Sequence, residues 1–414
     1  MKRAQSRRFL ANHGRRSRRA PSDSPFHGVF AERLLLKKAP KRQPATTKMG
    51  AEMKIGLLGA GHIGRAIARL LGTTGNYQVV AIDQSEAALD ILQKESGASI
   101  ARVQGGDEAS LREALQGCET IVNALPWQFA QSAAQTARAM NAHYFDLTED
   151  VAATEAIKAI AHGAQTLFMP QCGLAPGFVG LVARDLAGRF ESVESLKLRV
   201  GALPQFPDNA LKYNITWSVD GLVNEYLRPC PAVRHGQKID LQPLEGLETL
   251  AVDGVEYEAF NTSGGLGDIA EGLAGMAQSI DYKTMRYPGH CEKMRFLIHD
   301  LRLGENPDAL KAILLNAVPS TEQDVVVVSV SATGVKDGVF RKEVFARKIK
   351  AQSVAGVPMT AIQLTTAGSI CVAVDLLREG KLAGAGFASQ SRVPLDDFLG
   401  NFFGQLIFAG DSSR

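Results

Sequence analysis

The glycine-rich segment Gly59-Ala60-Gly61-His62-Ile63-Gly64 carries the strongest chemical signal in the sequence. It follows an apolar run at 54–59 and opens a run with helical spacing at 63–72, so it stands at a strand-to-helix turn. Its first glycine permits the tight turn. The second lets the backbone approach a pyrophosphate at the helix N-terminus, and the third permits close packing of helix on strand. We therefore predict a dinucleotide-binding loop that includes His62 and Ile63, with His62 as a spacer rather than a catalyst.

An acidic residue, Asp83, ends the next apolar run, at 78–83, as the dinucleotide fingerprint requires. Its carboxylate would accept hydrogen bonds from the ribose hydroxyls and would repel a 2′-phosphate. The residues that follow, Gln84-Ser85, supply no adjacent arginine to counter that repulsion. The predicted cofactor is therefore NAD, with NADP less favoured.

Two later strand ends are expected at the same crevice, because ligands of such sheets bind beyond the carboxyl ends of the strands. Asn123, Leu125 and Pro126 stand at the end of the fourth apolar run, and we expect them near the nicotinamide ribose. Asp107 follows the third run after two glycines, and we expect it to flank the adenine. The alternative for each segment is an ordinary strand-to-helix turn.

Short apolar runs alternate with helical patterns in the first part of the chain, which is typical of a parallel, doubly wound α/β sheet. The strand candidates are 54–59, 78–83, 99–104, 120–125, 143–147 and 166–172, and the helical patterns are 63–72, 86–96, 109–116, 127–140 and 151–162. Residues 53–177 are thus predicted to form a dinucleotide-binding Rossmann domain.

The pattern changes after Pro176, where longer strand candidates alternate apolar with polar residues. They are 195–202, 212–219, and 324–333 paired with 340–350 through a turn at 333–338. Alternation indicates an antiparallel sheet with one exposed face. We predict a second, α+β substrate domain at 178–356, built on a mainly antiparallel sheet. Helical periodicity at 360–380 predicts C-terminal helices, within 357–414, that return to the Rossmann domain.

Several segments occur in the order found in saccharopine dehydrogenases and their relatives, and the chain resembles this family over about residues 53–400. Besides the glycine loop, the segments are 144–148 (YFDLT), 172–178 (CGLAPGF), 212–218 (KYNITWS), 221–226 (GLVNEY), 262–265 (TSGG) and 283–290 (KTMRYPGH). Those after residue 200 look most like the single-chain lysine 6-dehydrogenase branch. Segment 361–368 departs from the family pattern at Leu364, where an arginine would be expected.

The resemblance implies NAD(P)-linked oxidation of the C–N bond at a lysine-derived carbon 6. The product is allysine, with glutamate when saccharopine is the substrate and with ammonia when lysine is. Such chemistry needs a group that takes a proton from the amine and carboxylates that stabilise the iminium cation. It also needs cations for the carboxylates of the substrate.

Four residues are candidates for acid–base or other catalytic roles. Asp146 ends the fifth strand candidate, and its alternative role is a helix N-cap. Cys172 would line the nicotinamide pocket, or be a buried, inert thiol. Lys212 would act as an acid or base or bind a carboxylate, or be a surface lysine at a strand start. His290 would relay protons, or anchor its loop.

Seven residues are candidates for substrate binding. Arg286 suits an α-carboxylate as a bidentate partner. Glu225, on a predicted helix, would bind a substrate ammonium, or belong to a solvated face. The backbone N–H groups of Thr262-Ser263-Gly264 would hold a carboxylate, or form a plain turn. Thr148 and Tyr213 are expected to line the same site.

The formal net charge of +3 is the sum of two unlike parts. Residues 1–52 hold 14 basic and three acidic residues, whereas the remainder has an excess of eight acidic residues. An acidic body argues against a nucleic-acid-binding core, because phosphate contacts need clustered Lys and Arg. We expect 1–52 to be a basic, disordered extension, with the working chain starting near Met49 or Met53. A targeting or nucleic-acid arm is the alternative.

The five cysteines are scattered and form no CxxC pair, which fits a reducing cytosol without structural zinc or a disulfide framework. No metal site is predicted, and no run of about 18 apolar residues indicates a membrane span. We expect a cytoplasmic homodimer or higher homo-oligomer with a small-molecule amino-acid substrate and no nucleic-acid or membrane partner. The alternatives are another imine or amine reductase, such as the carboxynorspermidine dehydrogenase type, and a non-catalytic NAD-binding sensor.

Overall fold

The structure is a computed structural model that describes residues 52–273, 275–382 and 384–408 of the 414-residue chain. The predicted basic extension, 1–52, lies outside the described residues except for Glu52. The last residues of the predicted C-terminal segment, 409–414, also lie outside them.

Strands and helices alternate without exception in the first part of the described chain. They are β1 (Met53–Leu58), α1 (His62–Gly72), β2 (Tyr77–Asp83), α2 (Glu86–Ser96), β3 (Ser99–Arg102), α3 (Glu108–Ala114), β4 (Thr120–Asn123), α4 (Ala130–Ala139), β5 (His143–Asp146), α5 (Val151–Ala161) and β6 (Leu167–Met169). The six strands and five helices predicted from the sequence are all confirmed, with ends that differ by a few residues.

The first sheet is parallel throughout, and its strand order is β6-β5-β4-β1-β2-β3. A short later strand adds to the β6 edge and makes seven strands in all. The order reverses between β1 and β4, so the crevice for a ligand opens at the carboxyl ends of these two strands. The predicted Rossmann topology is confirmed.

The remaining elements belong to a second sheet and to the helices around it. They are α6 (Phe178–Ala187), β7 (Ser192–Pro204), α7 (Val219–Leu227), β8 (Cys230–Arg234), β9 (Gln237–Leu241), β10 (Glu248–Val252), β11 (Val255–Asn261), α8 (Ile269–Gly272), β12 (Ala277–Arg286), α9 (His290–Arg295), α10 (Pro307–Ala317), β13 (Asp324–Lys336), β14 (Val339–Lys350), β15 (Gln352–Val354), β16 (Val357–Met359), α11 (Ala361–Arg378), β17 (Gly386–Phe387), α12 (Leu395–Gly400) and α13 (Phe402–Phe408). β17 is the strand that joins the first sheet.

The second sheet has eight strands, six of them in the order β10-β11-β12-β7-β13-β14, with β8 and β9 attached beside β12. All of its pairings are antiparallel except that of β12 with β7, so the prediction of a mainly antiparallel sheet is confirmed. The β13–β14 hairpin turns at Asp337-Gly338, where φ is +53° and +69°. Two successive positive φ values are those of the tight hairpin turn that Asp-Gly favours.

The predicted strand at 212–219 is wrong. Lys212 has a φ of +52°, and the chain from there to Ser218 runs irregularly before α7 begins. Ser218 caps this helix by accepting a hydrogen bond from Gly221 N. The apolar residues in alternation, Tyr213, Ile215 and Trp217, all pack in one cluster with α7, α9 and α10. The alternation of apolar and polar residues at 212–219 therefore reflects packing of an irregular segment against helices, and not a strand.

The C-terminal helix α11 lies in the largest core cluster, which runs from the first sheet to the second. It packs against α1, α13 and β13, and Gln363 Nε2 donates to the carbonyl oxygen of His62 at 3.4 Å. Among the described residues it is also the one helix long and apolar enough to cross a membrane, but 72% of that window is buried inside the fold. Such burial is typical of a core helix.

Candidate functional site

The glycine loop has the geometry that its sequence predicts. Gly59 has a φ of +101°, and a Cβ on Gly64 would overlap the Gly59 carbonyl group. By contrast, a Cβ on Gly61 would have no atom within 4 Å, so open space lies in front of the N-terminus of α1. Gly61 is the N-cap of α1 and no side chain caps the first N–H groups of that helix. His62 and Ile63 form its first turn, and a pyrophosphate fits this N-terminus.

Asp83 holds the glycine loop from the end of β2. Its two carboxylate oxygens accept hydrogen bonds from Ala60 N at 2.8 Å and from Ser85 N at 2.8 Å. The carboxylate is therefore fixed beside the loop, where the ribose of a dinucleotide would lie. These residues fit a nicotinamide dinucleotide, which would act as the hydride acceptor when bound.

An arginine that the sequence argument missed lies next to Asp83. Arg102, at the end of β3, donates its Nε–H to the carbonyl oxygen of Gln84 at 3.2 Å. Its Nη1 lies 3.4 Å from a carboxylate oxygen of Glu86, so a local anion already partners its charge. Gln84 and Ser85 supply no arginine in sequence, but the fold brings Arg102 opposite Asp83, because β2 and β3 are neighbours in the sheet.

The other predicted cofactor residues make internal bonds. Asn123, the last residue of β4, accepts from Leu125 N at 3.2 Å and donates to the Tyr144 hydroxyl at 3.3 Å. Pro126 is exposed at the same strand end. Asp107 caps α3 by accepting from Ser110 N at 3.1 Å. Hydrogen bonds from the side chain and the backbone of Ser110 lower the pKa of its carboxyl group. The alternative given for this segment, an ordinary strand-to-helix turn, agrees with this capping role.

Asp146, at the end of β5, is fully buried. It accepts hydrogen bonds from Gln171 N at 2.9 Å, Thr148 N at 3.1 Å and the Tyr144 hydroxyl at 2.9 Å. Burial raises its pKa to about 6, although the three donors act in the opposite direction. Three protein donors occupy the carboxylate, so the geometry favours a positioning role. Asp146 ties the loop after β5 to the chain that follows β6.

Cys172 is also fully buried. Its thiol donates to the Met169 carbonyl oxygen at 3.1 Å, and burial raises its pKa well above the ordinary value. A thiol in this state is a poor nucleophile. All five cysteines are free and buried.

Lys212 and His290 occupy opposite environments. Lys212 is exposed, and its ammonium group donates to the Pro288 carbonyl oxygen at 3.0 Å. His290 is fully buried, with Nδ1 3.0 Å from the Leu211 carbonyl oxygen and Nε2 3.0 Å from the Tyr226 hydroxyl. Burial, with the Arg286 charge, lowers the pKa of His290 to about 3. The imidazole is thus neutral at physiological pH, and its contacts are those of an anchor.

Arg286, the last residue of β12, is only 2% exposed. Its guanidinium carbon lies 5.0 Å from the centre of the Tyr213 ring, and its Nε donates to the Tyr226 hydroxyl at 3.1 Å. Its Nη1 donates to the Thr284 hydroxyl at 2.8 Å. No carboxylate among the described residues forms an ion pair with it. A buried, unpaired guanidinium held by tyrosines suits a carboxylate from outside the chain.

Glu225 lies one residue before Tyr226 on α7 and is 8% exposed. Burial raises its pKa to about 8. The Arg286 charge opposes this shift, and the Glu149 charge adds to it. The acidic residue Glu149, from the loop after β5, was missed by the sequence argument. The signal that was available is its place at the carboxyl end of a parallel strand.

The loop 262–267 joins the two sheets at this point. Ser263 N donates to the Glu225 carbonyl oxygen at 3.0 Å, and a Cβ on Gly264 would lie 3.3 Å from the Glu149 carbonyl oxygen. The hydroxyl of Thr262 is buried and has no hydrogen-bond partner among the described residues. Thr148 is buried beside Glu149 and accepts from Asp150 N at 3.4 Å.

The structure brings several of the predicted residues into two clusters, the second of which also includes Glu149 and Tyr226. One is the dinucleotide loop with Asp83. The other comprises Glu149, Glu225, Arg286, Tyr213, Tyr226 and Thr262, and we call it the Glu–Arg cluster. In the described part of the chain, no group of three or more His, Cys, Asp or Glu side chains could hold a metal ion.

The parallel sheet order and the geometry of the glycine loop define a dinucleotide-binding protein of the Rossmann type. Comparison with known families extends this class. The family model of the saccharopine dehydrogenase NADP binding domain matches residues 55–167, and that of the saccharopine dehydrogenase C-terminal domain matches residues 173–407. The chain belongs to the saccharopine dehydrogenase family.

Two curated relatives are the mitochondrial alpha-aminoadipic semialdehyde synthases of Bos taurus and Mus musculus. The first is 20% identical over 318 residues, which is 71% of this chain and 34% of the relative. The second is 19% identical over 200 residues, which is 47% of this chain and 22% of the relative. The chain therefore spans about a third or less of the length of these relatives.

A solved structure with the same fold is the apo saccharopine dehydrogenase (L-Glu forming) from Saccharomyces cerevisiae. The TM-score is 0.68 at 15% sequence identity, over 86% of this chain and 96% of that one. At this identity the likeness establishes the fold.

Proposed function

We propose that the protein oxidises the C–N bond of a lysine-derived amino acid with a nicotinamide dinucleotide and releases allysine. The observation that carries this proposal is the Glu–Arg cluster at the carboxyl end of the first sheet. It offers a buried guanidinium without a carboxylate partner and two carboxylates without an ion-pair partner among the described residues. An amino acid with a carboxylate at one end and an amine at the other matches both charges.

The charges in the cluster favour lysine over saccharopine. Saccharopine adds the two carboxylates of its glutamate moiety and would need further cations. Arg286 is the one cation of the cluster, whereas Glu149 and Glu225 are anionic when ionised. We therefore propose that the protein is of the lysine 6-dehydrogenase type.

The side chains of the cluster have distinct roles in this proposal. Arg286 binds the α-carboxylate, and the rings of Tyr213 and Tyr226 keep its guanidinium in place and exclude water. The nicotinamide, when bound, supplies the acceptor for the hydride. An anionic Glu225 stabilises the iminium cation that the substrate becomes, until water adds to it. Asp83 favours NAD, because it would repel a 2′-phosphate.

A panel of substrates tests the proposal. Lysine, saccharopine and a polyamine carboxylate are each supplied with NAD and with NADP, and reduced cofactor is followed by absorbance. The proposal expects turnover with lysine and NAD, and release of ammonia rather than glutamate. Turnover with saccharopine alone would contradict the lysine assignment. Dinucleotide binding without turnover of any amine would contradict the proposal as a whole.

A further inference from the structure

Two glutamates from distant parts of the sequence lie on either side of one turn. Ser263 N donates to the carbonyl oxygen of Glu225 at 3.0 Å. The next residue, Gly264, has a φ of +86°, and a Cβ there would lie 3.4 Å from the Cβ of Glu149. The turn at 262–267 therefore contacts both the backbone of Glu225, on α7, and the Cβ of Glu149, after β5, and the charge of Glu149 acts on the Glu225 carboxyl group. A side chain at position 264 would push against Glu149.

Neither glutamate is neutralised by a cation in direct contact. Glu225 is 8% exposed, and Glu149 is half-buried. In the described ranges neither carboxylate forms an ion pair, and Arg286 interacts with Glu225 only at a longer range. Two interacting carboxylates in a largely buried site repel each other and favour one bound proton or one bound cation.

The other titratable groups around the two glutamates do not supply the positive charge that the pair favours. Burial raises the pKa of the surrounding tyrosines, which therefore stay neutral. Burial also raises the pKa of Glu149, and the charges of Asp150 and Asp146 raise it further. The groups that face the pair are Arg286 and Tyr282 on β12, Tyr226 on α7, Tyr213 before α7, Cys230 on β8, and Asp146 and Asp150 beside Glu149.

We propose that Glu149 and Glu225 form a two-carboxylate clamp, which binds the amine nitrogen of the substrate and accepts the proton that this nitrogen must lose before oxidation. The clamp rests on the proposed function, because its ligand is the amine of the proposed substrate. In this proposal, the two carboxyl groups of the free protein hold one proton between them. An ammonium ligand displaces that proton to solvent. In the step that follows, an N–H bond of the ammonium breaks, an O–H bond forms on the carboxylate, and the nitrogen keeps the electron pair as a neutral amine.

The first test observes the carboxyl groups without any substrate. The full chain is labelled with ¹³Cδ-glutamate, and the Glu225 signal, assigned by its loss in Glu225→Gln, is titrated by NMR. We expect Glu149→Gln to lower the titration midpoint of Glu225 by at least half a pH unit. The matched control Glu194→Gln, at an exposed position on β7, leaves it unchanged. An unchanged Glu225 midpoint in Glu149→Gln would overturn the clamp.

The second test measures the binding of a simple cation. The probe is n-butylammonium chloride, with n-butanol as its neutral counterpart, and binding is measured by calorimetry in buffers of different ionisation enthalpy. We expect n-butylammonium to release a proton on binding to the wild type. We also expect at least tenfold weaker binding to Glu149→Gln and to Glu225→Gln, and no change in Glu194→Gln. Equal binding to all four proteins would overturn the clamp.

The failures of the two proposals are distinguishable. If no amine is turned over but n-butylammonium still binds through both glutamates, the proposed function fails and the clamp stands. If lysine is turned over with the same kcat and KM by both glutamine variants, the function stands and the clamp fails. If Glu225→Gln does not fold, the Glu225 signal is assigned in Glu225→Asp, and the Glu149→Gln titration decides the outcome.

Discussion

Arg286 donates its Nε–H to the hydroxyl oxygen of Tyr226 at 3.1 Å, and the same hydroxyl lies 3.0 Å from Nε2 of His290. A buried guanidinium, a phenol and an imidazole thus form one chain of contacts. Because the imidazole and the phenol are neutral, this series of contacts does not compensate the Arg286 charge. The arrangement keeps the cation available for a ligand while fixing its position.

Arg286→Lys should weaken substrate binding without loss of the charge. A lysine side chain at position 286 lacks the planar guanidinium that can donate to Tyr226 and to a carboxylate at the same time. We expect KM for lysine to rise at least tenfold, with the dissociation constant of NAD within twofold of the wild type. The matched control Arg341→Lys, at an exposed position on β14, should change neither. Equal losses of NAD and substrate binding would contradict a role confined to the substrate.

His290 should make the fold less stable in acid. Its pKa is about 3 in the folded chain and 6.5 when it is exposed. Between these values the unfolded chain binds more protons, so stability falls as pH falls from about 6.5 toward 3, by up to about 5 kcal/mol. The contribution is fully present above pH 6.5.

The measurement is urea unfolding of the wild type and of His290→Gln at pH 5 and pH 8. The variant should lose stability at both values but show a smaller difference between them. His299→Gln, at an exposed position, should keep the wild-type difference. A His290→Gln protein with the full acid sensitivity of the wild type would disprove the assignment.

Asp83→Asn should shift the cofactor preference toward NADP. Asparagine keeps an oxygen for Ala60 N or Ser85 N but removes the charge that repels a 2′-phosphate. We expect the ratio of kcat/KM for NADP to that for NAD to rise at least tenfold. Glu86→Gln, which removes the partner of Arg102, should shift the ratio in the same direction by less. No shift in Asp83→Asn would count against NAD selection by Asp83.

Cys172→Ala should retain activity. The thiol is buried and its pKa is raised, so it is not a nucleophile. We expect kcat within twofold of the wild type, and a loss of about 1–2 kcal/mol of stability from the missing sulfur atom. Iodoacetamide should label Cys172 only after unfolding, as peptide mass analysis would show. A loss of kcat by a hundredfold with intact folding would restore the catalytic interpretation.

The first sheet could be predicted from the sequence because its strands are short apolar runs with helices between them. The second sheet could be predicted only at β7, β13 and β14, where strands are long and alternate regularly. The strands from β8 to β11 are only five to seven residues long. The longer strand β12 pairs with β7 in parallel and at long range. Such pairing leaves little local signal in a single sequence.

The site was predicted in part, for a similar reason. Glu225, Arg286 and the turn at 262–264 were identified by type and by resemblance. Glu149 and Arg102 were missed, because only the fold brings Glu149 near Glu225 and Arg102 near Asp83. Lys212 and His290 have suitable chemistry, but only the fold shows that one is exposed and the other sealed.

The contact between Gln363 on α11 and the carbonyl oxygen of His62 joins the C-terminal helix to the first turn of α1. That first turn is where a pyrophosphate would bind. A ligand that binds the glycine loop stabilises the folded state in which α11 contacts that loop. Binding of the dinucleotide and attachment of α11 are therefore thermodynamically linked. A bound dinucleotide should therefore slow proteolysis at α11 (Ala361–Arg378).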